Sequence, residues 1–372
     1  MLRLIGVVLA VPLIGDEKKA VEATCPLDGH KFTAYDITSW DFAKAWGGMD
    51  RDFCKHAFKT TPLEYLAWVC PGCGFAGVKA DFDAKNALTD EQKDKLRGKL
   101  TPAVAVRKGM KQEAVPGHAK FDLVAQVYLL KEAPPERAGL AYLNAAWCAR
   151  QQGTPWLDGF DEWADVRKDH NLETMPMDLG EKNRTDVELE IARRVEKKIE
   201  EKREQEKRDQ GIVKECDAKI AELKKDAKGN AEAIRKEEQR RGDARGRLQQ
   251  VALLKYTALW CVRRHGENVD ALKWIEELRT SKGDNSVIDD AVEAAAKSIE
   301  LERGYQKKAA EQYEKAVAGG KLDKRVAGQC QYLLGELARR LGDRAKAAEW
   351  YRKAVEEPSI KKTAEEQLKL VE

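Results

Sequence analysis

The sequence lacks the signatures of several common protein classes. Its 372 residues include only 11 prolines and 27 glycines, which excludes collagen-like and proline-rich disordered chains. No apolar run reaches the roughly 20 residues that a membrane-spanning helix needs. Lys and Arg total 67 against 64 Asp and Glu, which leaves a net charge of +3. Nothing in this balance indicates nucleic acid or an anionic membrane as a partner.

Recognisable catalytic motifs are also missing. The sequence contains no HExxH, no GxSxG and no phosphate-binding loop ending in GK[ST]. Its five histidines are isolated from one another along the chain. We therefore expect a protein that is not an enzyme.

The first residues resemble a secretory signal. Arg3 precedes an apolar run over residues 4–15, and a charged stretch begins at Asp16. A positive residue before about 7–15 apolar residues is the pattern of an export signal. The sequence thus predicts a signal-like segment over residues 1–20 and a periplasmic or cell-envelope protein, with the cytoplasm as the alternative location.

A cysteine motif near residue 70 is the strongest chemical signal in the chain. Cys70 and Cys73 are separated by two residues, the second of which is Gly72, and Gly74 follows them. This spacing predicts a tight turn whose two thiolates form half of a zinc knuckle. The residues on either side, 65–69 and 74–78, have the pattern of two paired strands.

A tetrahedral zinc site needs two further ligands, and a second turn offers them. Residues 25–30 repeat the Cys-Pro and the glycine, but Asp28 stands where the second cysteine is expected. We predict a structural Zn²⁺ ion bound by Cys25, Cys70, Cys73 and Cys54, since zinc prefers thiolate donors. The alternates for the fourth ligand are Asp28, His30 and His56. Disulfides, or a redox pair of Cys70 and Cys73, are the other interpretations.

These motifs together resemble the bacterial domain of unknown function 2225 family. The similarity rests on residues 25–32, the Asp-rich turn at 48–52, residues 62–65 and the motif at 69–76. It covers about residues 22–155 and, more weakly, the C-terminal helices. The resemblance implies paired cysteine knuckles followed by tetratricopeptide-like helices. It implies no reaction.

Internal repetition indicates stacked helical hairpins. Residues 145–153 and 258–266 share the pattern Ala-x-Trp-Cys-x-Arg-x-x-Gly, and residues 335–342 are a weaker copy. A helix type that recurs in this way is typical of helical repeats.

The C-terminal region matches the tetratricopeptide pattern best. The matching positions are Leu334, Gly335, Ala338, Gly342, Asp343, Ala347, Tyr351, Ala354 and Pro358. Residues 286–319 are expected to form a preceding, less regular unit. Such units stack and present a concave surface. Gln331, Arg339 and Arg340 fall on the helix type that lines it, which predicts binding of a protein or peptide there. The alternative is a concave face filled by the protein's own helices.

Residues 181–247 are highly charged, with 21 Lys and Arg against 18 Asp and Glu. Sparse apolar residues recur at steps of three and four, which predicts a long helical hairpin with a narrow apolar stripe. Breaks are expected at Gly211 and at Gly229-Asn230. The hairpin is either a coiled coil for a partner or for self-association, or a solvated spacer.

The sequence as a whole predicts a mainly α protein with a small β and metal-knuckle module at its N-terminus. After the signal-like segment we expect the zinc-knuckle module at 21–85 and a helical linker with the first hairpin at 86–180. The charged hairpin at 181–250 and tetratricopeptide-like repeats at 251–372 follow. This organisation favours a non-enzymatic interaction scaffold. The alternative function is a thiol-redox or metal-handling protein that uses Cys70 and Cys73.

Overall fold

Three short antiparallel strand pairs build the N-terminal module. The computed structural model describes residues 18–37, 46–57, 62–153, 181–226, 228–265, 268–280 and 286–372. Residues 1–17 of the predicted signal-like segment (1–20) lie outside these residues, and its last three residues belong to the first strand. The described strands are β1 (Lys18–Thr24), β2 (Lys31–Ile37), β3 (Trp46–Met49), β4 (Lys55–Ala57), β5 (Ala67–Val69) and β6 (Ala76–Val78). They pair as β1–β2, β3–β4 and β5–β6. Each pair is a hairpin, and the three turns carry the cysteines at positions 25, 54, 70 and 73.

Helices form most of the remaining described chain. They are α1 (Leu63–Leu66), α2 (Asp90–Leu96), α3 (Gly117–Leu130), α4 (Pro135–Gly153), α5 (Glu181–Leu223), α6 (Ala231–His265), α7 (Asn268–Thr280), α8 (Ser286–Ala318), α9 (Lys324–Leu341), α10 (Arg344–Ala354) and α11 (Lys361–Val371). The predicted mainly α fold with a small β module is confirmed. Among the described residues, no helix has the length and apolar character needed to cross a membrane.

Local sequence signals set several helix ends. The Thr89 hydroxyl accepts a hydrogen bond from Gln92 N (3.2 Å) and the Gln92 side chain accepts one from Thr89 N, so a capping box begins α2. Gly342 ends α9 at φ 91°, and the Asp343 side chain then caps α10. Such a left-handed glycine stops one helix and allows the next to turn back.

The main hydrophobic core joins the β5–β6 hairpin to helices α3, α4, α8 and α9. A second core contains residues of α6, α7 and α8 together with Val195 and Ile199 from α5. A third, smaller core surrounds Phe32, Trp68 and Phe75 of the N-terminal module and includes Leu96 of α2 and Val127 of α3. The module is therefore packed against the helices through its third hairpin.

Glycine–tyrosine contacts explain the small residues of the predicted repeats. A Cβ atom on Gly335 would lie 2.5 Å from the Tyr351 ring, so α9 and α10 approach as closely as backbone allows. Gly139 of α4 meets the Tyr313 ring of α8 in the same way, at 3.1 Å.

The prediction of a separate repeat unit at residues 286–319 is wrong. The segment is one continuous helix, α8, whose main partner is α4 rather than a helix within the unit.

The charged segment forms the expected pair of long antiparallel helices, α5 and α6. Gly229 and Asn230 lie at the turn, but Gly211 does not interrupt α5. A glycine inside a helix costs only about 1 kcal/mol, which the pairing with α6 offsets. The seam between the helices is unusually polar, because Glu206 pairs with Lys255 at 2.7 Å and Asp209 with Arg247 at 2.7 Å.

Candidate metal centre

The first cysteine turn joins β1 to β2. Cys25 N donates to His30 O at 2.9 Å, and Gly29 N donates to Cys25 O at 2.9 Å. Gly29 has φ 74°, a left-handed backbone that glycine adopts without steric cost. The turn thereby directs Cys25 and Asp28 to one side.

The second cysteine turn, between β5 and β6, has the same backbone pattern. Cys70 N donates to Phe75 O at 2.8 Å, and Gly74 N donates to Cys70 O at 2.9 Å. Gly74 has φ 78°. Position by position, Asp28 in the first turn therefore corresponds to Cys73 in the second.

The two turns face each other and bring four potential ligands together. One ligand atom from each of Cys25, Asp28, Cys70 and Cys73 lies within 4.8 Å of every other. Cys25 Sγ is 3.6 Å from Cys73 Sγ, and Cys70 Sγ is 3.6 Å from Asp28 Oδ1. Sulfurs 2.3 Å from a tetrahedral zinc lie about 3.8 Å apart, and a sulfur and a carboxylate oxygen lie about 3.5 Å apart. The donor set thus fits a tetrahedral ion.

The approach of the two turns depends on Gly72. A Cβ atom at this position would lie 2.7 Å from Asp28 Oδ2 and 3.3 Å from His30 Cβ. A side chain at Gly72 would therefore push Asp28 away from the sulfurs.

The three sulfurs share their protons unequally. Hydrogen bonds from Cys25 and then Cys73 lower the pKa of Cys70, and the N–H of Gly72 donates to the same sulfur at 3.3 Å. The hydrogen bond to Cys70 raises the pKa of Cys25.

The expected alternative of disulfides is not observed, because all eight cysteines are free. The 3.6 Å between Cys25 Sγ and Cys73 Sγ also exceeds the roughly 2.05 Å of a disulfide bond.

The structure thus brings together three of the four predicted ligands, with Asp28 rather than Cys54 as the fourth member. Cys54 is fully buried elsewhere, where Gln151 Nε2 donates to its sulfur at 3.2 Å. Burial, followed by the charge of Asp50, raises the pKa of this thiol. Of the other alternates, His30 is outside the group of four, and its backbone N–H donates to Asp28 Oδ1 at 2.9 Å. The His56 side chain is not among the described groups.

Cys54 lies beside a buried network of ion pairs that the sequence did not reveal, and its backbone N–H donates to Asp52 Oδ1 at 3.3 Å. Arg150 on α4 binds Asp50 at 2.7 Å, Asp52 at 2.6 Å and Glu302 at 2.8 Å. Each of these four side chains is at most 1% exposed. Charged groups are rarely buried unless they are paired in this way. The recurring Arg of the Trp-Cys motif and the Asp-rich turn at 48–52 were the sequence signals that could have indicated the network.

The expectation that Arg339 and Arg340 line an open groove is wrong. Their side chains are only 4% and 1% exposed. Arg339 pairs with Glu336 at 2.8 Å, and Arg340 Nε lies 3.3 Å from Asp52. The face of α9 that carries them packs against the protein's own residues, because an acidic loop of the N-terminal module lies there. Gln331, the third predicted contact residue, is half-buried.

The geometry defines a mainly helical protein whose N-terminal module carries a candidate metal site in two equivalent turns. The model of a family described as "Uncharacterized protein conserved in bacteria (DUF2225)" matches residues 18–299 and 294–371. The chain belongs to this bacterial family, as the motifs indicated. No curated protein and no solved structure matches the chain.

Proposed function

We propose that this protein is a non-enzymatic interaction scaffold whose N-terminal module is stabilised by a structural zinc ion. The observation that carries the metal site is the convergence of Cys25, Asp28, Cys70 and Cys73 from two equivalent turns. Three sulfurs and one carboxylate oxygen form a donor set that suits tetrahedral Zn²⁺. Four protein ligands leave no open position for a substrate, which favours a structural role over hydrolysis.

The size of the module supports a structural role for the ion. Its two cysteine turns are held by strand pairs of seven and three residues per strand. Isolated two-stranded hairpins are marginally stable in water. An ion that joins the two turns would supply much of the missing folding free energy.

Zinc analysis of purified variants tests the metal site. We expect about one zinc per chain in the wild type, and loss of the metal in Cys70→Ser and Asp28→Ala. Cys54→Ser is a matched control, because Cys54 is also a buried, free cysteine but lies outside the group of four. Retention of zinc by Cys70→Ser, or its loss from Cys54→Ser alone, would contradict the assignment.

A thiol-redox or metal-handling function is the second candidate. It is favoured by the half-exposed Cys73 and by the backbone N–H donated from Gly72 to Cys70. Thiol titration with and without a chelator distinguishes the two functions. A structural ion hides its cysteine ligands until it is removed, whereas a redox pair of Cys70 and Cys73 reacts at once.

The helices are the proposed interaction part of the scaffold. The close Gly335–Tyr351 and Gly139–Tyr313 contacts are typical of helical repeats, whose stacked helices offer extended binding surfaces. The α5–α6 pair is a candidate surface for self-association, which light scattering of the full chain and of an α5–α6 charge variant would test.

We also propose export, on the basis of the apolar run after Arg3. Mass spectrometry of the protein from its host tests this, since an intact Met1 in the cytoplasm would reject it.

A further inference from the structure

A loop of the metal-binding module is inserted among the helices as a peptide ligand would be. This acidic loop, residues 50–54, joins β3 to β4 and is closed by hydrogen bonds from Asp50 N to Cys54 O (2.8 Å) and Phe53 N to Asp50 O (2.9 Å). Asp50 and Asp52 are 2% and 1% exposed. The acidic side chains of the loop therefore lie inside the helical part of the protein, whereas Arg51 and Phe53 are half-buried.

Arginines from two helices recognise the acidic side chains. Arg150 of α4 binds Asp52 through two nitrogens, at 3.2 Å and 2.6 Å, and Asp50 at 2.7 Å. Arg340 of α9 lies 3.3 Å from Asp52 and 3.8 Å from Asp50. Such fork-shaped pairing of a guanidinium with a carboxylate is strong and depends on geometry.

Helix α9 also binds the loop through its backbone and its aromatic residue. The Tyr332 hydroxyl donates to Arg51 O at 2.7 Å. The Phe53 ring packs on the Tyr332 ring with 5.1 Å between centroids, and Phe53 has φ 67°. A non-glycine residue in this left-handed region is strained, and the packing against Tyr332 holds it there. Carboxylates, one carbonyl and one aromatic ring are thus recognised together.

We propose that Arg150 of α4, together with Arg340 and Tyr332 of α9, forms a binding site for acidic segments of the form Asp-x-Asp-aromatic, and that the acidic loop occupies this site in cis. This inference rests on the scaffold function proposed above and names the chemistry of its partner. A partner segment with two carboxylates and a following aromatic residue would replace the loop and meet the same groups, Arg150, Arg340 and Tyr332.

The charges of the site favour exchange of one acidic segment for another. The guanidiniums of Arg150, Arg263 and Arg340 meet the carboxylates of Asp50, Asp52 and Glu302. Two of these three carboxylates belong to the loop. Withdrawal of the loop alone would leave buried cations without those carboxylates, which is costly. Replacement by a segment of the same chemistry avoids this cost.

A peptide of the chain's own sequence tests the site directly. The probe is a labelled peptide of residues 46–55 that carries Cys54→Ser, and the control peptide has both aspartates changed to asparagine. The receptor is the full chain with Asp50→Asn and Asp52→Asn, checked for wild-type helicity and zinc content. We expect this receptor to bind the aspartate peptide at least about tenfold more tightly than the asparagine peptide, since charge-assisted contacts dominate the site. Adding Arg340→Gln should weaken the preference, since Arg340 is one of the two arginines that meet Asp52. A folded receptor with no preference for the aspartate peptide would overturn the proposal.

A second measurement uses the wild-type chain and so does not depend on the folding of a variant. Cys54 is fully buried with the loop, so displacement of the loop would expose its thiol. We expect the aspartate peptide to increase the labelling rate of Cys54, located by mass spectrometry, while the asparagine peptide does not. A labelling rate independent of the aspartate peptide would overturn displacement. If a partner binds the full chain while both peptide tests fail, the scaffold function stands and only this site is rejected.

Discussion

Arg150 and Arg263, which occupy the same position in the two copies of the Trp-Cys motif, both bind the buried carboxylate of Glu302. Arg150 Nε donates to Glu302 Oε1 at 2.9 Å, and Arg263 Nη1 donates to Glu302 Oε2. Glu302 is fully buried on α8, the helix that lies against both α4 and α6. The repeated motif therefore serves one shared centre, in which each copy supplies a cation to the same anion.

Neutralising Glu302 should be among the most destabilising single changes in the chain. Glu302→Gln removes the anion between two buried guanidiniums, and breaking a buried pair costs about 3–5 kcal/mol. Urea denaturation followed by circular dichroism measures the loss. The control is Glu293→Gln, because Glu293 pairs with Arg279 at the surface and exposed pairs contribute about 0–1 kcal/mol. Equal effects of the two changes would contradict a central role for Glu302.

The pH dependence of stability should depend on Asp52. The positive charges of Arg150 and Arg340 overcome burial and lower the pKa of Asp52 from 3.8 to about 2. Because the folded-state pKa is lowered, ionised Asp52 contributes roughly 2 kcal/mol to the free energy of unfolding above pH 3.8. This contribution is lost as the pH falls toward 2.

Denaturation of the wild type and of Asp52→Asn between pH 2 and pH 6 measures this dependence. The wild type should exceed the variant in stability above pH 4, and the difference should shrink as the pH approaches 2. A difference that does not change with pH would show that the carboxylate charge of Asp52 does not stabilise the fold.

The close packing of α9 on α10 predicts opposite effects of the same substitution at two glycines. In Gly335→Ala the new Cβ would lie 2.5 Å from the Tyr351 ring, and overpacking of this kind costs about 1–3 kcal/mol. Gly211→Ala is the control, since nothing lies within 4 Å of its Cβ position in α5. There alanine should stabilise the helix by up to about 1 kcal/mol. Thermal melting of both variants measures the contrast, and destabilisation by Gly211→Ala would reject the open geometry.

Local patterns predicted the parts of the structure whose interactions are local. The spacing of Cys70 and Cys73 predicted the turn, because the turn is closed within six residues. The residue pattern predicted strands at 65–69 and 74–78, but the strands begin later, at Ala67 and Ala76, and residues 65 and 66 belong to α1. The choice of Cys54 followed a general preference for thiolate ligands. The position of Asp28 was the better guide, because it matches Cys73 within an equivalent turn.

Long-range contacts account for what the sequence did not predict. Tyr332 is 281 positions from Arg51, whose carbonyl it binds, and no periodicity along α9 indicates which residues will cover its charged face. Arg340 therefore had the pattern of a residue lining an open groove. Only the chain's path, which returns residues 50–54 to α9, shows that the arginine is already paired.

The equivalence of Asp28 and Cys73 makes a final prediction about the metal centre. Asp28→Cys would complete a set of four thiolates in two matching turns, and thiolate is the donor that structural zinc prefers. We expect the variant to fold and to bind zinc at least about tenfold more tightly, because its fourth ligand is softer. Competition with a chromophoric chelator measures the affinity. His30→Cys is the control, because His30 lies two residues further along the same turn and only its backbone N–H meets Asp28. Equal or weaker zinc binding by Asp28→Cys would place the fourth ligand elsewhere.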